Sequence, residues 1–189
     1  MRMFNFFTSA TVCYLLLRLL LLAVPFFDVQ VPGIFYSVTN NVSFLLFLLV
    51  YLSLGFILRY YKEKNWYSIL IYLYLAFSVL NFVLLKVGYN RYLYGLFGIV
   101  NVVVLLTFCI GSFFVKAREI SGLFKCLAVG MLADPVISFI TPFLYVSYNF
   151  PKLIFILGII SLFPVAIIFL LNKKISLQPV YDQDAFNIE

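Results

Sequence analysis

Apolar runs long enough to cross a bilayer follow one another along almost the whole chain, separated by short clusters of Arg and Lys. A helix needs about 20 residues to cross the hydrocarbon of a membrane. Runs of about that length lie near 4–27, 42–61, 67–86, 92–115, 122–148 and 151–172. In lipid each backbone N–H and C=O must be satisfied within its own segment, so such runs must be helices. The chain is 65% hydrophobic and 11% charged. A soluble domain carries roughly 25% charged residues and cannot hide this much apolar surface. The expected fold is an all-α, polytopic transmembrane helix bundle of six helices. Residues 1–174 form the membrane domain, and 175–189 form a polar, disordered cytoplasmic tail.

The basic residues orient the bundle. Arg2, the Arg59/Lys62/Lys64 loop, the Lys116/Arg118/Lys125 region and Lys173/Lys174 alternate onto one side, against Lys86, Arg91 and Lys152 on the other. By the positive-inside rule both termini are cytoplasmic. The net charge of +6 therefore sets topology, and its natural partner is the lipid bilayer with its anionic head groups, not nucleic acid. The expected location is a membrane, plasma or inner. Arg2 ahead of an apolar run resembles a signal-peptide start. Arg18 interrupts that run and no A-x-A-like site follows, so it is expected to stay as the first helix.

Local signals refine the elements. Pro32-Gly33 reads as a tight turn with Gly33 at positive φ, inside a first loop over 28–41. Thr39, Asn40 or Asn41 is expected to cap the second helix and Ser121 the fifth. Gly88 marks another turn, and Pro164 a kink in the last helix. On the third helix Tyr74, Ser78 and Asn81 share a face. On the fourth, Gly95, Gly98 and Asn101 make a smooth strip suited to close helix packing, with the Asn101 amide free to bond across the contact.

Absent residues exclude chemistry. The chain has no histidine, which removes His-ligated metal or haem and every His-assisted nucleophile. Cys13, Cys109 and Cys126 sit in apolar runs without a CxxC pair and are expected to be buried free thiols. No cofactor, metal site or catalytic residue is indicated. No internal repeat, glycine-rich phosphate loop or paired acidic motif is readable.

The polar interior centres on the run between Lys125 and Lys152. Cys126, Gly130, Asp134 and Ser138 recur every fourth residue, with Thr141 close behind. Pro135 and Pro142 cannot donate to the carbonyls of Met131 and Ser138. A carboxylate, hydroxyls and two freed carbonyls thus fall near mid-membrane. Arg18, about 13 Å deep at 1.5 Å per residue, is the natural counter-charge. A lone charge at a helix centre costs roughly 2.5–3.5 kcal/mol, so Asp134 and Arg18 are expected to meet, with Ser138 and Thr141 beside them. Such a pair is either a packing device or a working site.

Three function classes follow. One is a non-catalytic membrane subunit, sensor or scaffold acting with a membrane-protein partner or as a homo-oligomer. The second is a small transporter or proton/cation pathway through Asp134 and Arg18. The third is a lipid-modifying enzyme, for which Asp134 lacks a paired acid or nucleophile. The first accommodates the residue content best.

Overall fold

The computed structural model describes residues 2–27, 29–88, 91–144 and 150–177; of residues 91, 134, 138–144, 150–152 and 154 it describes the backbone alone. The described chain is helical throughout, as α1 (Arg2–Phe26), α2 (Gly33–Tyr60), α3 (Asn65–Val87), α4 (Arg91–Ser112), α5 (Arg118–Leu144), α6 (Phe150–Ser161) and α7 (Phe163–Ser176), with no strand among the described residues. Among the described residues six helices are long and apolar enough to cross a membrane, the sixth running over Phe155–Ser176 through the α6–α7 junction. The expected tail lies mostly outside the described residues. α7 reaches two residues into it, and Ile175 is buried.

Several helix ends differ from expectation for identifiable reasons. α2 begins at Gly33, so most of the expected first loop is helical. Pro32 takes the cap position with φ −57° and ψ 146°. Gly33 has no positive φ, which among the glycines is confined to Gly88. Thr39 does not cap; its hydroxyl donates back to the Phe35 carbonyl at 2.6 Å inside the helix. Ser121 likewise lies within α5, its N–H bonded to the Ala117 carbonyl at 2.9 Å. Gly88 does end α3, left-handed at φ 70°, with its N–H on the Leu84 carbonyl. Pro164 falls in the first turn of α7, where its missing N–H has no intrahelical partner to lose. The last span is accordingly divided at Leu162. α5 stays helical through Pro135 and Pro142.

Consecutive helices pack side by side, and the last span closes a ring, α6 lying against both α5 and α1. α7 lies against α1, α2 and α5. Its Val165, Ile168, Leu171, Asn172 and Ile175 are all buried, as suits a segment surrounded by other helices. α4 is peripheral: 17% of its most apolar stretch is buried, against 44% for α2.

Burial is uneven along the bundle. Among the described residues the apolar core is made by Phe4, Phe7 and Tyr14 of α1, Val50, Tyr51, Leu54, Ile57 and Leu58 of α2, Tyr67, Ile71 and Leu75 of α3, Leu105, Phe108 and Cys109 of α4, Ile120, Phe124, Leu127, Ala128 and Met131 of α5, and Val165, Ile167, Ile168, Leu171 and Ile175 of α7. These lie mostly in the half of each potential span nearest the basic loops. The far half is joined by ring pairs, Phe44 stacked on Phe82 at 4.0 Å and Phe26 against Phe155 at 4.6 Å. Of the three thiols Cys109 is enclosed; Cys13 and Cys126 are exposed on the outside of the bundle, a correction to the expectation that all are buried.

Glycines mark the closest crossings. A Cβ on Gly55 would lie 2.7 Å from the Tyr72 ring, and one on Gly130 would lie 2.9 Å from Phe163 and 3.1 Å from Pro164. Gly95 and Gly98, expected at a helix contact, have nothing within 4 Å of such a Cβ. On that strip the contact with α3 is made by Asn101 and not by the glycines.

Candidate functional site

The best-defined polar arrangement lies at the basic end, where the α2–α3 and α4–α5 loops meet. Its origin is the end of α2. Lys62 takes φ 53°, a left-handed conformation that non-glycine residues seldom adopt. Lys62 N–H bonds to the Arg59 carbonyl at 3.0 Å and Glu63 N–H to the Leu58 carbonyl at 2.9 Å. This paired closure is the Schellman arrangement. It turns the chain so that Glu63 goes inward while Lys62 and Lys64 remain exposed.

Glu63 is 8% exposed. Its Oε1 accepts the backbone N–H groups of Lys116 at 2.8 Å and Ala117 at 2.6 Å. Those donors stand at the entry to α5, where free N–H groups and the helix dipole favour negative charge. One carboxylate thus ties two loops more than 50 residues apart. The same end carries a second tie, Lys174 Nζ donating to the Glu119 carbonyl at 2.6 Å. Tyr61 Oη lies 3.5 Å from Glu119 Oε2, and the rings of Phe4 and Tyr60 meet edge to face at 5.7 Å. Segments of α1, α2, α5 and α7 therefore converge on the basic face.

A cleft of 340 Å³ opens beside Glu63, lined by Glu63, Lys64, Trp66, Tyr67, Phe114 and Lys116. Trp66 and Tyr67 lie 4.2 Å apart at 31°. Gly111 lets them settle on α4, since a Cβ there would stand 2.8 Å from Tyr67 and 3.0 Å from Trp66.

Further inside, the hydroxyls are mostly absorbed by their own helices. Thr11 donates to the Phe7 carbonyl, Ser53 to Val50 and Ser112 to Phe108. Among the described residues two bonds cross helices through Asn side chains. Asn101 Nδ2 donates to Ser78 Oγ at 3.1 Å between α4 and α3, and Asn172 Nδ2 to Ser53 Oγ at 2.9 Å between α7 and α2. In Asn81, Asn101 and Asn172 the Oδ1 atom is buried with no hydrogen-bond partner.

Of the intramembrane site read from the sequence, the side chains of Asp134, Ser138 and Thr141 lie outside the described residues. Arg18 is half-buried on α1, which packs against α2, α6 and α7; α5 packs against α4, α6 and α7. Gly130 of the same stripe is buried under Phe163 and Pro164. Glu63 and Asn172 were not singled out by sequence reasoning. The available signals were a lone acid among Arg59, Lys62 and Lys64, and an Asn just ahead of Lys173-Lys174.

The chain matches no known family, no curated protein and no solved structure. Its fold and composition define a small helical protein with six potential membrane spans.

Proposed function

We propose that this chain is a non-catalytic subunit or scaffold of a plasma or inner membrane, with both termini cytoplasmic, acting through a protein partner docked on its basic face. The observation that carries the reading is Glu63. Its Oε1 binds two backbone N–H groups at the junction of two loops, a structural use of a buried carboxylate. The loops it holds carry exposed cations, Lys62, Lys64, Lys116 and Arg118. A pre-ordered surface loses less entropy on association, which favours recognition.

The test is native mass spectrometry of the chain extracted with its partners in mild detergent. A stoichiometric complex is expected. Lys64→Glu with Lys116→Glu should dissociate it while leaving the helical fold intact. A chain that stays alone and carries protons or cations across proteoliposomes would contradict the reading.

That contrary outcome belongs to a second reading, a cation or proton pathway through Asp134 and Arg18. It is favoured by the unpartnered Oδ1 atoms of Asn81, Asn101 and Asn172, since buried oxygens of this kind commonly hold water or a cation. Asp134→Asn should then abolish flux.

A further inference from the structure

We propose that the cleft beside Glu63 binds the head group of an ethanolamine phospholipid, the ammonium on Glu63 and the phosphate on Lys64 and Lys116. The inference does not require the partner-docking reading, although both engage Lys64 and Lys116. The cleft has 340 Å³, within the range of small-ligand sites. Its lining joins three kinds of group: one buried carboxylate, two lysines and the aromatic side chains of Trp66, Tyr67 and Phe114.

Each group restricts the ligand. Glu63 is 8% exposed, and its Oε1 takes both loop N–H groups. Neither bond uses Oε2, which leaves a carboxylate oxygen able to accept from a ligand. A purely anionic head group would meet that negative charge at close range. Lys64 and Lys116 on the rim repel a simple cation and attract phosphate. A ligand carrying ammonium and phosphate a few bonds apart answers both signs. The aromatic faces favour the ammonium end through cation–π attraction. A carboxylate acceptor selects a primary ammonium, which has N–H donors, over a quaternary one, which has none.

Place in the fold argues for a lipid over a soluble phosphate ester. The cleft sits where α3 begins and α4 ends, at the end of two potential spans. Phe114, Ile110, Leu106 and Val103 are exposed at 68%, 63%, 41% and 54%. Ile110, Leu106 and Val103, at spacings of four and three, form one apolar ridge along α4, and Phe114 continues it in the turn beside the cleft. A head group seated at Glu63 could lay its acyl chains along that ridge.

Trp66 is the one tryptophan of the chain, so its fluorescence reports on the cleft. The purified full chain in detergent micelles is titrated with dihexanoyl phosphatidylethanolamine, phosphatidylcholine or phosphatidylglycerol. A saturable change in Trp66 emission is expected, with half-saturation about tenfold lower for the ethanolamine lipid, as one charge-assisted hydrogen bond provides. Soluble phosphoethanolamine should bind far more weakly; equal binding would reassign the cleft to a free phosphate ester and overturn the lipid proposal. Glu63→Gln keeps an acceptor for the loop amides and removes the charge, and should bring ethanolamine and choline lipids to parity. Unchanged selectivity in that variant would overturn the proposal. Lys64→Gln with Lys116→Gln alters exposed side chains alone and should weaken all three lipids together, which keeps the test decisive should Glu63→Gln not fold. Tighter binding of phosphatidylglycerol, or no saturable response to the ethanolamine lipid, would also overturn it.

Discussion

Asn172 Nδ2 donates to Ser53 Oγ at 2.9 Å, joining α7 to α2 across 119 residues of sequence. Both side chains are fully enclosed. The same Nδ2 also reaches the Ile168 carbonyl at 3.1 Å, while Oδ1 has no partner. An interhelical hydrogen bond of this kind averages about 0.6 kcal/mol inside a membrane protein. Asn172→Leu, similar in branching but larger, exchanges that bond for relief of the bare oxygen and adds some overpacking, and should cost no more than about 2 kcal/mol. Asn172→Asp introduces a buried charge and should destabilise by several-fold more. Thermal unfolding of both variants in one detergent checks the order. A strongly destabilised Leu variant would mean that Oδ1 holds something essential, such as water.

Lys62 turns the chain at φ 53°, a conformation that strains an L residue and not glycine. Lys62→Gly should therefore stabilise the fold by about 0.5–1 kcal/mol, the gain being reduced by glycine's larger unfolded-state entropy. Lys62→Val should do the reverse. The check is the shift in unfolding midpoint of each variant against the parent.

The glycines should divide sharply. Gly130→Ala drives a methyl into Phe163 and the rigid ring of Pro164, an overpacking that costs typically 1–3 kcal/mol. Gly95→Ala and Gly98→Ala meet open space and should be neutral or gain up to about 1 kcal/mol each from helix propensity. Comparable losses at Gly95 and Gly130 in detergent unfolding would contradict the helix arrangement described.

Six potential spans and the gathered cations lead us to propose that both termini are cytoplasmic. A reporter fused after Glu189 should be active in its cytoplasmic form alone. Activity of an exported reporter at that site would reverse the orientation.

The six long apolar helices were legible because an apolar run of helix length, bounded by cations, has few alternatives to helix. The division at Pro164 was legible because a proline cannot donate within a helix. The start of α2 was not, because Pro32-Gly33 has the composition of a turn, and Thr39, Asn40 and Asn41 that of a cap. The backbone preference decided otherwise, and Thr39 turned its hydroxyl onto the Phe35 carbonyl. Glu63 was hidden more deeply. An acid flanked by Arg59, Lys62 and Lys64 reads as one more solvated charge. Only the left-handed turn at Lys62 sends it inward, and nothing in that side chain announces such a turn. The capping of α5 escaped for the same reason, since its partner comes from another loop.

The most direct test of the pinned basic face is hydrogen exchange at the amides of Lys116 and Ala117. Their N–H groups are protected by Glu63 Oε1 at 2.8 and 2.6 Å, although Lys116 itself is exposed. Slow exchange is expected in the parent chain. In Glu63→Ala both amides should exchange at least about tenfold faster, as local opening becomes easier, with a loss of roughly 2–4 kcal/mol in stability from two donors left without their charged acceptor. Fast exchange of both amides in the parent chain, or equal rates in the two proteins, would contradict the account.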